Sequence, residues 1–97
     1  MTCKVIAEWN MKDGKAADLV KDCRGLFPVT RTFDGCIMID VSIAQDDQNS
    51  VIMTEEWASK EHHLAYMKFR TEDGTVANIM PMLTGAPKFT YLELSDA

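Results

Sequence analysis

Residues 36–59 read CIMIDVSIAQDDQNSVIMTEEWAS, in which a polar segment separates two apolar ones. Residues 36–44 alternate apolar side chains with polar or smaller ones, the pattern of a β-strand. Residues 51–57 predict a second strand, and residues 45–50 predict the polar turn that joins the two as a hairpin. Ser59 follows at once and is suited to cap a helix that extends to about Arg70.

Two further strands flank this unit, at residues 3–11 and 88–94. A helix is expected after the first strand, capped by Asp13 and ended or kinked by Pro28, and a short one over residues 75–80. The order strand, helix, strand, strand, helix, strand predicts an α+β, ferredoxin-like βαββαβ fold with a four-stranded antiparallel sheet. The whole chain, 1–97, is expected to be one domain.

The predicted strands carry large apolar side chains on both faces, although the two main helices cover only one. The pairs are Val5 and Ile6, Ile37 and Met38, Ile52 and Met53, and Tyr91 and Leu92. A second sheet is expected over the open face, and a second copy of the chain would supply it in a homodimer. A large heterologous partner would fit the same residues.

The composition argues against several classes of partner and location. The net charge is −5, and the lysines and arginines form no basic run, which argues against nucleic acid and against anionic membrane surfaces. The three cysteines lack a CxxC spacing, and free thiols fit a cytoplasmic protein. The beginning of the sequence does not have the pattern of a signal peptide, and no apolar run is long enough to span a membrane.

Two short motifs resemble those of the antibiotic biosynthesis monooxygenase family. They are Asp34-Gly35-Cys36 at the start of the second strand, and Glu55-x-Trp57-x-Ser59 at the corner between the third strand and the helix. The resemblance implies a dimeric α+β barrel with a pocket between sheet and helices. It also implies a range of activities, including oxidation of aromatic substrates by O₂ without metal or flavin, action on quinones, and haem degradation.

Trp57 and Glu55 lie two residues apart and therefore on one face of the predicted strand. Trp57 would bind a planar substrate by stacking, or would only fill the core. Glu55 is interpreted as a structural acceptor that holds the corner or the dimer.

The helix after this corner carries candidate catalytic groups on two neighbouring faces. His62, Tyr66 and Phe69 share one face, His63, Met67 and Arg70 share the next, and Leu64 is expected to point into the core. His63 or Tyr66 would take a proton from the substrate, with His63 slightly preferred. The resemblance places Tyr66 where many relatives carry histidine, so Tyr66 departs from the family pattern.

Three further residues complete the predicted site. Asn10 would polarise an oxygen of the substrate, or would only form a turn at the end of its strand. Met53 and Met67 would contact the substrate, although methionine fills cores and pockets alike. No metal site is expected, because the side chains of His62 and His63 diverge by about 100° on a helix.

These observations favour a cofactor-independent, monooxygenase-like enzyme that acts on a small planar aromatic or quinol-type substrate. The alternatives are a module that binds a small metabolite without converting it, and a protein that binds or degrades haem.

Overall fold

The computed structural model describes residues 2–97. Four strands form one antiparallel sheet in the order β2-β3-β1-β4. The strands are β1 (Cys3–Asn10), β2 (Cys36–Ala44), β3 (Asp47–Trp57) and β4 (Lys88–Glu93). The helices are α1 (Ala16–Thr30), α2 (Lys60–Glu72) and α3 (Thr75–Ile79), with a 3₁₀ turn at Met80–Met82. The predicted ferredoxin-like βαββαβ order and antiparallel sheet are confirmed.

The inner face of the sheet is the face that α1 and α2 cover. Val5, Ala7 and Trp9 of β1 point toward the helices and are buried, as the alternation in residues 3–11 predicts. The part of this face around Ala7 and Trp9 packs on α1, and the part around Val5 and Trp57 packs on α2. The core is therefore a single layer between one sheet and the helices.

The hairpin between β2 and β3 is tighter than the sequence indicated. Only residues 45–46 lie between the strands, because β3 begins at Asp47 rather than at Val51. Polar side chains in residues 47–50 misled the prediction, since they suit a solvent-exposed strand end as well as a turn. A bulge between Cys36 and Met38 breaks the alternation of β2 and leaves Ile37 half exposed.

Helix α1 differs from its prediction at both ends. Asp13 does not cap it: Lys15 occupies the N-cap position, and the Asp13 carboxylate instead accepts a hydrogen bond from the Asn49 side chain at 2.7 Å. Pro28 lies inside the last turn without ending the helix. The helix continues to Thr30, whose side chain is fully buried and bonds to the carbonyl of Leu26 at 3.1 Å.

Helix α2 begins as the sequence predicts, because the Ser59 hydroxyl accepts a hydrogen bond from the amide of His62 at 3.2 Å. The expected inward orientation of Leu64 is wrong, since its side chain is about half exposed. His63, Tyr66 and Arg70 form the buried face of this helix instead. These three residues occupy the inward-facing positions of α2 in place of Leu64, because their polar groups have partners inside the protein.

The two sequence motifs meet in one corner of the fold. The amide of Ala58 donates to the carbonyl of Gly35 at 2.8 Å, which joins the start of β2 to the β3–α2 corner. Gly35 has φ +86°, and a Cβ at this position would overlap the ring of His62. The ring is fixed in turn by a 2.6 Å hydrogen bond between its Nδ1 and the Ser59 hydroxyl. Glycine is thus required at position 35 for its backbone conformation and for its lack of a side chain.

Within residues 2–97, none of the helices has the length and apolar character needed to cross a membrane.

Replacing Gly35 by alanine tests this corner. Gly35→Ala is expected to lower the free energy of unfolding by about 2–4 kcal/mol, because a strained φ and an overpacked side chain both contribute. Gly74→Ala isolates the strain, since Gly74 has φ +88° but open space around it; a loss of about 1 kcal/mol is expected. Gly25→Ala, in an open position within α1, should stabilise the protein by roughly 0.5–1 kcal/mol. Urea unfolding measures all three, and equal losses for Gly35→Ala and Gly74→Ala would contradict the steric role of His62.

Candidate active site

A small cavity lies between the inner face of the sheet and helices α1, α2 and α3. Its volume is about 40 Å³, which is room for roughly three water molecules. Most of its wall is apolar and includes the two methionines of the predicted site, Met53 and Met67. Polar residues also line it, among them Glu55, Tyr66, Arg70 and Thr75. A few polar groups facing an apolar space are typical of a site for a small organic molecule.

Glu55 is a carboxylate in the core, with 3% of its surface exposed. It points inward from β3, and the indole N–H of Trp57 donates to its Oε1 at 2.9 Å. Burial raises the pKa of Glu55 from its ordinary value near 4.5 to about 7, although the hydrogen bond from Trp57 opposes this rise. A carboxyl group with this pKa in the wall of a cavity can take or give a proton near neutral pH.

His63 packs against this carboxylate from α2 and is completely buried. Its Nδ1 lies 2.9 Å from the Tyr91 hydroxyl, and its Nε2 lies 3.6 Å from Oε1 of Glu55. Nε2 has no hydrogen-bond partner within residues 2–97. Burial lowers the pKa of His63 to about 4, so the imidazole is neutral at pH 7. The 3.6 Å contact would be an ion pair only with a protonated ring, which the desolvation of both groups disfavours.

Tyr66 lines the cavity, but its hydroxyl is engaged by two neighbours. It lies 2.6 Å from the hydroxyl of Thr30 and accepts a hydrogen bond from Nε of Arg70 at 2.9 Å. Arg70 also donates to the carbonyl of Leu26 at 2.8 Å and to the carboxylate of Asp73 at 3.0 Å. This network fastens α2 to the end of α1 and satisfies a guanidinium that is almost fully buried.

Trp57 is also completely buried, and the cavity wall described by residues 2–97 does not include it. Its ring packs near those of Phe33, His63 and Tyr66. Trp57 therefore lies behind the cavity wall, where it orients the Glu55 carboxylate and packs near the ring of Tyr66.

Asn10 lies at the other end of β1, with its side chain exposed. Its backbone carbonyl accepts hydrogen bonds from the amide and the hydroxyl of Thr84. Val5 is the β1 residue paired with Glu55, so Asn10 is five residues, or roughly 16 Å, further along the strand. Of the predicted site residues, the cavity thus brings together Met53, Tyr66 and Met67, with His63 and Trp57 behind Glu55 and Asn10 distant.

Sequence reasoning assigned Glu55 only a structural role. It gave no part in the site to Arg70, Thr30 or Tyr91. The period-two spacing of Glu55 and Trp57 was the signal for the first, because it placed an acid on the face that becomes the core. No local pattern indicates the other three, since their partners lie on distant elements.

The two histidines diverge as the helix geometry predicts. His62 faces Ser59 and the exposed Asp34 carboxylate, whereas His63 faces the core. Within residues 2–97, no three side chains of histidine, cysteine, aspartate or glutamate come together as metal ligands.

The chain is similar to known proteins in both sequence and fold. The family profile described as "Antibiotic biosynthesis monooxygenase" matches residues 2–70. A conserved protein from Methanosarcina mazei Go1 superposes with a TM-score of 0.86 at 17% identity, covering 98% of this chain and 94% of its own. A structure described as an antibiotic biosynthesis monooxygenase superposes with a TM-score of 0.83 at 19% identity, covering 96% of this chain and 98% of its own. A protein from Pseudomonas aeruginosa superposes with a TM-score of 0.80 at 20% identity, covering 97% of this chain and 95% of its own. At these identities the structural likeness shows a shared fold. No curated protein sequence matches the chain.

The opposite pKa shifts of Glu55 and His63 predict opposite effects on stability. A raised carboxyl pKa gives stability that is present below pH 4.5 and lost as the pH rises to about 7. A lowered imidazole pKa gives stability that is present above pH 6.5 and lost as the pH falls to about 4. In the wild type the two effects largely cancel between these limits.

Single substitutions should separate the two effects. Relative to wild type, the free energy of unfolding of Glu55→Gln should rise by up to about 3 kcal/mol between pH 4.5 and 7. That of His63→Gln should rise, relative to wild type, as the pH falls from 6.5 to 4. Urea unfolding at four or five pH values measures both, with Glu56→Gln on the outer face of the sheet as the matched control. A difference that does not change with pH would contradict the assigned shifts.

Proposed function

Because the chain belongs to the antibiotic biosynthesis monooxygenase family, we propose that it is a monooxygenase-like enzyme that needs no metal or flavin. Its substrate is a small planar aromatic or quinol-type molecule, and its oxidant is O₂. The observation that carries the proposal is Glu55, a buried carboxyl with a pKa of about 7 in the wall of an apolar cavity.

The cavity of about 40 Å³ is smaller than an aromatic substrate, so binding requires its wall to move. Met53 and Met67 are suited to this, because unbranched thioether side chains change rotamer at little energetic expense. They keep the substrate-contacting role predicted for them. Trp57 contributes by holding Glu55 rather than by stacking on the substrate.

Glu55 is the proposed general base. Its carboxylate takes a proton from the substrate, and the apolar wall favours an anion whose charge is delocalised over the ring. This carbanion-like anion gives one electron to O₂, and the two radicals combine to a peroxide anion, which is protonated. Loss of water across the peroxide then converts the attacked ring C–H to C=O, so the four electrons that reduce O₂ all come from the substrate.

The other predicted catalytic residues act around Glu55. His63 contacts the carboxylate from behind, and Tyr66, fixed by Arg70 and Thr30, presents its ring to the cavity. Arg70 lies in the same wall, and its positive charge would stabilise the peroxide anion. Asn10 has no part in the proposed reaction, because it lies at the far end of β1.

Oxygen consumption tests the proposal. Purified protein is expected to consume O₂ with at least one member of a panel of naphthols and hydroquinones. Glu55→Gln should lower kcat/KM by about 10²–10⁴-fold, the usual contribution of a general base. Glu56→Gln is the matched control, because it changes the neighbouring carboxyl on the opposite face, and it should retain the wild-type rate.

No consumption with any substrate would refute the enzymatic proposal. Compounds that raise Tm without being converted would then favour the alternative of a metabolite-binding module. Consumption that is equal in Glu55→Gln and wild type would place the base elsewhere.

We also propose that the protein is a homodimer whose sheets pack on each other through their outer faces. Ile6 and Ile52 are half-buried at the centre of this face, and Leu92 is exposed near its edge. Charged pairs surround them, including Lys4 opposite Glu56 on neighbouring strands. An apolar centre with a charged border is typical of a specific interface.

A charge at the centre of the outer face should separate the subunits. Ile52→Glu is expected to give a monomer in light scattering with an unchanged far-UV circular dichroism spectrum. Val29→Glu, on an exposed position of α1, is the control and should remain dimeric. A wild-type monomer at micromolar concentration would refute the dimer.

A further inference from the structure

We propose that Glu55, His63 and Tyr91 form a proton relay between the inner cavity and a groove on the protein surface. The relay lets the Glu55 carboxyl exchange protons with solvent while the cavity is closed or occupied. It rests on the proposed function only in giving Glu55 the role of base, and its geometry can be tested without any substrate.

Three groups lie in a row between two separate spaces. Glu55 lines the inner cavity, and its Oε1 is 3.6 Å from Nε2 of His63. On the other side of the ring, Nδ1 is 2.9 Å from the Tyr91 hydroxyl. Tyr91 also lines a surface groove of about 290 Å³ beside Cys3, Ser59 and Lys60. His63 is fully buried and thus connects the buried Glu55 carboxyl to Tyr91, a partly exposed residue of β4.

The neutral imidazole is the right group for this position, because one of its nitrogens donates while the other accepts. Protonated Glu55 gives its proton to a bare Nε2, after the 3.6 Å contact shortens by about 0.6–0.8 Å to hydrogen-bond length. Nδ1 passes its own proton to the Tyr91 oxygen, and Tyr91 releases its proton to water in the groove. The carboxylate is regenerated with its negative charge, His63 and Tyr91 end neutral, and the ring is left as the other tautomer. The reverse sequence restores the first tautomer of the ring when a proton passes from the groove back to Glu55.

Two features of the site make the relay useful. Glu55 is 3% exposed, so a substrate that fills the cavity would separate it from solvent on that side. The unpartnered Nε2 of His63 is a buried polar atom that normally carries an energetic penalty. A role in which it alternately accepts from and donates to Glu55 explains why it faces that carboxylate.

Other ionisable groups surround the relay and must be separated from it. Cys3 of β1 lies beside Tyr91 in the groove, Cys36 of β2 lies near Glu55, and burial raises the pKa of the Cys36 thiol. Tyr66 and Arg70 of α2 share the cavity wall with Glu55, and the ammonium of Lys60 lies 4.6 Å from the centre of the Tyr91 ring. The experiment therefore follows the His63 ring itself.

Nitrogen-15 NMR of histidine-labelled protein tests the relay between pH 5.5 and 8.5, with His62→Gln to assign the signals. The His63 ring should stay neutral and should change from the Nδ1–H to the Nε2–H tautomer as Glu55 ionises, with a midpoint near pH 7. Glu55→Gln should abolish this change, whereas Glu56→Gln and Cys3→Ser should retain it. A tautomer that stays fixed while the Glu55 carboxyl titrates would overturn the relay, and so would conversion of His63 to an imidazolium.

Kinetics give an independent arm once a substrate is known. Tyr91→Phe removes only the terminal hydroxyl and should lower kcat by about 10- to 100-fold with little change in KM. This loss is no larger than the smallest usual contribution of a general acid or base, about 10²-fold. Thr90→Val, on the outer face of the same strand, should be unaffected. Full kcat in Tyr91→Phe would overturn the relay while leaving Glu55 as base. Absence of all oxygen consumption would refute the proposed function and leave the NMR result to decide the relay.

Discussion

The hydrogen bond from the indole of Trp57 to the carboxylate of Glu55 is the interaction on which the site depends. An acid in the core is tolerated only if some of its hydrogen-bonding capacity is satisfied there. One donor at 2.9 Å is enough to orient the carboxyl but leaves its pKa near 7. With two or three more donors the carboxylate would be a permanently charged structural group, and with none it would be a permanently neutral one. The single bond keeps both protonation states accessible.

The sequence predicts the architecture well and the site partly. Alternation in residues 3–11 and the Ser59 cap identify β1 and the start of α2, because both patterns are set by neighbouring residues. The inward face of α2 was harder to predict. Leu64 is the apolar choice, yet the helix buries His63, Tyr66 and Arg70, because Tyr91, Thr30 and the Leu26 carbonyl bond to them from other elements.

Proline and aspartate misled in a similar way at α1. Each has a strong local preference, but neither decides the helix limits here. Asp13 finds its partner on Asn49, and the turn after Pro28 is held by the burial of Thr30 against Tyr66. Contacts between distant parts of the chain override local propensity at these positions. The same contacts create the candidate site, so the errors of sequence reasoning fall close to the chemistry.

The packing of His62 over Gly35 also constrains the order in which the two positions can change during evolution. Loss of His62 would leave only a surface gap and a helix cap without its ring, so this step is open to drift. Any side chain at position 35 would first need both a smaller residue at position 62 and a tolerated positive φ. The order of the two changes is therefore constrained: a lineage can lose the histidine and keep the glycine, but replacing the glycine while the histidine stays is strongly destabilising.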